Sequence, residues 1–119
     1  MDILKDKENW IIKISAGENI DDTLLFEIKF KLLAAQWYEE IKYFSFARQR
    51  ENETYFHLLA MGKSIVPFMI QELVRGKNVW FAALQKLTQD NPVKKEHIGK
   101  PDLMANDWIE WAKTKNLLW

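Results

Sequence analysis

The stretch Met61–Val93 constrains this chain most, because it carries two apolar stripes separated by only a few polar residues. Within each stripe, apolar residues recur at spacings of three and four, as they do on one face of an α-helix. The stripes are Ile65, Phe68, Met69 and Leu73, then Val79, Trp80, Ala83, Leu84 and Leu87. A short connection between two amphipathic helices folds them back on each other. The stretch therefore predicts a packed helical hairpin.

Residues at the ends of the two stripes predict where each helix begins and ends. Ser64 is the expected N-cap of the first helix, and Pro67 falls in its first turn, where it forfeits no intrahelical hydrogen bond. Gly76 tolerates the left-handed backbone that commonly ends a helix. Asn78 is the expected N-cap of the second helix, and Asn91-Pro92 is its expected end.

The hairpin resembles one unit of a HEAT-type helical repeat, in which a proline-led helix precedes a helix with an A-x-x-L pattern. The matching residues are Gly62, Ile65, Val66, Pro67, Met69, Ile70, Leu73, Ala83 and Leu87, with Ala82 and Leu84 beside them. The chain departs from that pattern at Asn78, where Asp is usual, and at Phe81 or Gln85, where Arg is usual. No longer period repeats, so the resemblance implies one repeat-like unit and not a solenoid.

The chain also resembles a group of small uncharacterised bacterial proteins that share the proline-led helix and two tryptophan motifs. The motif residues are Trp80, Phe81, Ala83, Leu84, Leu87, Thr88, Asn91, Pro92 and Val93, then Met104, Trp108, Ile109 and Trp111. This resemblance implies a helical fold and brings no activity with it.

Further helices are predicted on both sides of the hairpin. Their expected ranges are Met1–Ala16, Asp22–Phe44, Tyr55–Met61 capped by Asn52 or Thr54, and a last helix that Pro101 opens and Asn116 ends. β-branched runs typical of strands are missing. We expect an all-α, single-domain, HEAT-like or orthogonal bundle of five to six helices. Residues 1–60 supply N-terminal helices and a spine, 61–93 the hairpin, and 94–119 a capping helix and tail.

Composition limits the class of protein. The 119 residues are 48% hydrophobic and 29% charged, which is typical of a globular chain large enough to bury a core. The chain has no cysteine, and no apolar run suits a leader peptide or a membrane span, so we expect a cytoplasmic protein. Seventeen basic and seventeen acidic residues leave no net charge to attract nucleic acid or an acidic membrane.

Side chains that could carry chemistry are few. His57 and His97 lack a second ligand at metal-binding spacing, so we expect a partly buried structural His57 and a solvated His97. Glu72 lies among apolar positions, and we expect it to be structural, accepting a hydrogen bond from Trp80 or another tryptophan, ahead of a functional role. The sequence predicts no enzyme, metal or cofactor.

Six tryptophans are the strongest compositional feature. Four of them, Trp37, Trp80, Trp108 and Trp111, fall on apolar stripes and are expected in the core. The remaining two have weaker patterns, and Trp119 follows two leucines in an apolar tail. Aromatic residues dominate many protein interfaces. The candidate partner-binding residues are therefore Leu117, Leu118, Trp119 and Trp10.

Basic residues gather in the last quarter of the chain. Lys94, Lys95, His97, Lys100, Lys113 and Lys115 form a candidate patch for an anion or nucleic acid. We expect a protein–protein interaction module with a bacterial accessory or regulatory role, such as an antitoxin-like protein or a helper of a mobile-element or defence system. The alternative is a small nucleic-acid-associated protein that uses the lysine patch.

Overall fold

The structure is a computed structural model that describes residues 22–44 and 50–117. The helices are α1 (Asp22–Ile41), α2 (Glu53–Ala60), α3 (Val66–Val74), α4 (Phe81–Thr88) and α5 (Pro101–Thr114), with 3₁₀ turns at Gly62–Ile65 and Lys95–His97. No strand occurs in the two described ranges, so the all-α class is confirmed. The predicted helix Met1–Ala16 lies outside them.

The chain divides between Ala60 and Met61 into two compact units. In the first unit, α1 packs against α2. Its buried apolar residues are Phe30, Ala34, Trp37, Ile41, Tyr55 and Leu58. The first four recur at spacings of three and four, as on one face of a helix, although α1 ends at Ile41 and not at the predicted Phe44. One apolar stripe of α1 therefore supplies most of the buried face in the described part of this unit.

The start of α2 confirms Asn52 as the capping residue. The Tyr55 amide donates to Asn52 Oδ1 at 3.0 Å, which satisfies one of the backbone donors that a helix start leaves unpaired. Of the two predicted caps, Asn52 and Thr54, the contact supports Asn52, and the helix begins at Glu53, two residues before the predicted Tyr55.

In the second unit α3 is the central helix, and it packs against the 3₁₀ turn Gly62–Ile65, α4 and α5. The buried apolar residues are Ile65, Val66, Met69, Ile70, Leu73, Trp80, Ala83, Leu84, Ala105, Trp108 and Ala112. Phe68 is half-buried. The predicted contact between the two central helices is therefore confirmed, whereas the likeness to a HEAT unit stays a prediction.

Two predicted N-caps in this unit are wrong. Ser64 lies inside the 3₁₀ turn, and α3 begins only at Val66 without a side-chain capping bond. The N-cap position of α4 is occupied by Trp80, two residues after Asn78. The Asn78 side-chain amide instead donates to Asp102 Oδ1 at 3.2 Å. At both starts the preceding residue already has helical dihedral angles, whereas a side-chain N-cap usually needs an extended backbone.

The end of α3 is a Schellman motif centred on Gly76. Gly76 has φ of 90°, its amide donates to the Leu73 carbonyl at 2.9 Å, and the Lys77 amide donates to the Glu72 carbonyl at 2.9 Å. These two bonds satisfy carbonyls that the helix end would otherwise leave unpaired. The predicted end of the first central helix is thus confirmed.

Replacing Gly76 tests whether this left-handed end sets the stability of the unit. Gly76→Ala meets no atom within 4 Å of the added Cβ, so its cost comes from the backbone conformation alone. We expect a loss of about 1 kcal/mol in the free energy of unfolding, and a smaller loss for Gly76→Asn because asparagine tolerates this conformation better. Urea denaturation of wild type, Gly76→Ala and Gly76→Asn measures the two losses in unfolding free energy. Equal losses for the two variants would contradict the prediction.

Candidate functional site

An open groove of about 320 Å³ with largely apolar lining lies on the second unit. Its lining residues are Lys63, Ser64, Val66, Pro67, Thr88, Trp111 and Leu117. They come from the 3₁₀ turn, the first turn of α3, the last turn of α4 and the end of α5. The groove therefore lies near the ends of four elements of this unit.

Trp111 is the largest wall of the groove, and two contacts fix its ring. Its indole Nε1 donates to Asp90 Oδ2 at 2.8 Å. The buried Trp108 ring meets it edge to face, with centroids 5.2 Å apart and planes at 71°. The prediction that Trp111 belongs to the core is wrong, since the residue is half-buried.

Asp90, just after the end of α4, accepts the hydrogen bond that positions Trp111. The Thr88 hydroxyl donates to the Leu84 carbonyl at 2.7 Å and accepts from the Asp90 amide at 3.1 Å. Gln89 between them has φ of 55°. The pKa of Asp90 lies below its ordinary value, chiefly because the Trp111 indole donates to the carboxylate and next because the Asn91 amide does. Asp90 therefore stays ionised and holds the indole near neutral pH.

Leu117 reaches the groove because the chain turns sharply at the end of α5. Asn116 has φ of 57°, and the Leu117 amide donates back to the Ala112 carbonyl at 2.8 Å. This is again a Schellman geometry, with asparagine in the left-handed position. The predicted end of the last helix at Asn116 is confirmed.

Of the four candidate partner-binding residues, Leu117 is the one within the described residues. Leu117 is half-buried and lines the groove. Leu118, Trp119 and Trp10 lie outside the described residues, so their partner-binding role stays a prediction.

Lys63 and Ser64 form the polar rim of the groove. Both are exposed, and within the described residues neither side chain makes a hydrogen bond or an ion pair. No carboxylate is among the described residues that line the groove. The groove therefore combines apolar walls with one unpaired ammonium and one unpaired hydroxyl.

Carboxylates are interleaved with the predicted basic patch. All five lysines of the patch are exposed, but Lys113 Nζ lies 3.0 Å from Glu110 Oε1, and Lys115 helps to lower the pKa of Asp90. The Lys94 amide donates to Asp107 Oδ2 at 3.0 Å. The patch is thus a surface of mixed charge.

His97 is tied to α5 and is not solvated as predicted. Its Nδ1 lies 2.7 Å from Asp107 Oδ2, and the His97 side chain is only 21% exposed. The pKa of Asp107 is lowered first by the Lys94 amide and then by His97. One carboxylate therefore fastens the 3₁₀ turn Lys95–His97 to α5. The sequence missed this contact because the two residues are ten positions apart, across a loop.

Glu72 is buried, and Arg75 Nη1 donates to its Oε2 at 2.9 Å. Since this contact spans three residues of the end of α3, it stabilises the last turn. The predicted tryptophan donor to Glu72 stays a prediction.

The first unit carries a polar pocket of about 280 Å³ that the sequence did not indicate. Its lining residues are Gln36, Glu40, Asn52, Glu53, Thr54 and His57. Gln36 Nε2 lies 3.2 Å from both Glu40 Oε2 and Thr54 Oγ1, and the Asn52 amide donates to Glu40 Oε1 at 3.1 Å. The pocket is therefore lined by a connected hydrogen-bond network.

This network joins α1 to the capped start of α2. The pKa of Glu40 lies below its ordinary value, chiefly through the Thr54 hydroxyl, with the Gln36 and Asn52 amides adding to the effect against desolvation. His57 was predicted to be partly buried, but its side chain is 61% exposed and lies 3.8 Å from Glu53 Oε1. Glu40 thus holds the two helices together as an ionised acceptor.

The described ranges contain neither a cluster of metal-binding side chains nor a helix suited to span a membrane. No group of three or more histidine, aspartate or glutamate side chains there is arranged to hold a metal ion. No described helix is both long and apolar enough to cross a membrane.

Comparison with known proteins does not assign a family. No protein-family model matches the chain, and neither the curated proteins nor the solved structures include a significant match.

Asp107→Asn tests the fastening of the 3₁₀ turn. Because the folded-state pKa of Asp107 is lowered, its stabilising effect is present above the ordinary value of 3.8 and is lost as pH falls through the lowered value. We expect the variant to be about 1 kcal/mol less stable near neutral pH, and the gap from wild type to close as the medium is acidified. Chemical denaturation across that pH range measures the gap.

Glu110→Gln is the matched control, since it is a similar change on the same helix and Glu110 makes only an exposed ion pair with Lys113. We expect its effect to stay below about 0.5 kcal/mol at every pH. A gap for Asp107→Asn that does not change with pH would contradict the assignment.

Proposed function

We propose that the chain is a non-enzymatic protein-interaction module, and that the groove of the second unit binds a segment of a partner protein. The observation that carries the proposal is the groove itself, in which a half-buried tryptophan, a proline and two aliphatic side chains face a concavity of about 320 Å³. This volume suits one or two anchoring side chains and lies at the small end of the range for binding pockets.

The fixed orientation of Trp111 supports a binding role. Its hydrogen bond to Asp90 and its contact with Trp108 hold the ring before a partner arrives. A side chain that is already ordered loses little rotamer entropy on binding, and tryptophan is enriched among residues that dominate interface energy. We therefore expect Trp111 to be the main anchor of the interface.

The three described carboxylates with a lowered pKa are poorly suited to act as general acids. Glu40 joins α1 to α2, Asp90 holds Trp111, and Asp107 fastens a 3₁₀ turn. General acid catalysis near neutral pH needs a raised carboxyl pKa, whereas each of these is shifted downward. Their contacts give each of them a structural role.

Within this proposal the chain is a cytoplasmic accessory or regulatory protein, and its resemblance to small bacterial proteins supports only the bacterial part of that role. Nucleic-acid binding by the lysine patch is the weaker proposal, because acidic side chains lie among the lysines and reduce the local positive potential. No observed contact favours it over a solvated surface.

Site-specific photo-cross-linking in the source cells tests the groove. We expect a photoreactive residue at Ser64 to give one defined protein adduct, because Ser64 is exposed and lines the groove. The same residue placed at Glu110, which is exposed on α5 and does not line the groove, should not give that adduct.

A second variant distinguishes a partner bound in the groove from a protein that is cross-linked to Ser64 non-specifically. Trp111→Ala removes the largest wall, so the Ser64 adduct should fall several-fold while circular dichroism shows that the helices persist. Equal adducts from Ser64 and Glu110, or a Ser64 adduct unchanged by Trp111→Ala, would contradict the proposal. A nucleic-acid adduct in place of protein would favour the alternative.

A further inference from the structure

The polar rim of the groove carries information about what the groove can bind. Lys63 and Ser64 are adjacent in the 3₁₀ turn, both line the groove, and neither has a partner within the described residues. An ammonium group donates three hydrogen bonds and a hydroxyl donates one, so this rim offers positive charge and donors to a ligand. Trp111 and Leu117, which also line the groove, offer apolar surface.

No described carboxylate forms an ion pair with Lys63, and three of the carboxylates in this unit have other partners. Asp90 accepts from Trp111, Asp107 accepts from Lys94 and His97, and Glu110 pairs with Lys113. None of these three lines the groove. Among the described residues, a ligand that enters the groove therefore meets an ammonium group without an ion-pair partner beside apolar side chains, which favours an anionic group next to an apolar one.

Resting on the function proposed above, we propose that the occupant is a peptide segment of a partner protein in which an apolar residue is flanked by aspartate or glutamate. The apolar side chain packs against Trp111 and Pro67, and the carboxylate contacts Lys63 and Ser64. The groove is open and shallow, so a peptide covers it together with the surrounding surface. The charge complementarity at the rim sets which segments are selected.

Panning a random heptapeptide library against the folded full-length protein tests this occupant. Wild type should enrich peptides that carry an apolar residue and an acidic neighbour. Lys63→Glu should lose the acidic preference and enrich basic neighbours instead, because the rim charge is reversed. Lys95→Glu is the matched control, since Lys95 is exposed and does not line the groove, and it should select the same peptides as wild type.

Fluorescence anisotropy with the enriched peptide then gives the size of the effect. Lys63→Glu should weaken its binding by roughly 3- to 10-fold relative to wild type, and a peptide with Lys in place of the acid should show the reverse order. Added salt should reduce the difference, because the rim is exposed to solvent.

The outcomes separate this inference from the function on which it rests. Ser64→Trp fills the groove, so enrichment that survives in this variant, or no enrichment on wild type, would overturn both the groove and its occupant. Enrichment of apolar peptides without acids, lost in Ser64→Trp but unchanged in Lys63→Glu, would keep the groove as the binding site and overturn the acidic occupant.

Discussion

Burial of α3 between α4 and α5 is the constraint on which the second unit depends. Met69 and Ile70 are fully buried on α3, as are Leu84 on α4 and Trp108 on α5. Removal of this apolar surface from water is the main stabilising contribution available to a unit without cysteines or an identified metal site in its described residues.

The groove is a consequence of how the helices around α3 end. Pro67 lies in the first turn of α3 and remains half-buried, while Gln89 and Asn116 take left-handed conformations just after α4 and α5. These turns bring Asp90 and Leu117 to the same end of the unit. Helix termination, which is a local property, therefore shapes the binding surface.

Much of the fold could be predicted from sequence because its signals are local. The apolar stripes at spacings of three and four predicted the helices, Asn52 the start of α2, and Gly76 and Asn116 the ends of α3 and α5. Each of these effects acts within about four residues. Helical periodicity also predicted the burial of Trp80 and Trp108.

The candidate site was less predictable because it depends on residues far apart in the chain. Trp111 follows the apolar stripe of α5, yet its ring faces the groove because Asp90, 21 residues earlier, accepts its N–H. The lysine-rich sequence around His97 predicts a solvated side chain, because it does not show that Asp107 on α5 holds the imidazole. Ser64 failed as an N-cap because a 3₁₀ turn already continues the helical backbone before α3.

Native-state hydrogen exchange on the full chain tests the central role of α3 most directly. If the second unit is built around this helix, the amides of Met69–Leu73 should be among the slowest to exchange and should open only with the whole unit. Exchange of these amides as fast as those of the loop 90–94 would show that α3 opens independently, and would contradict the account.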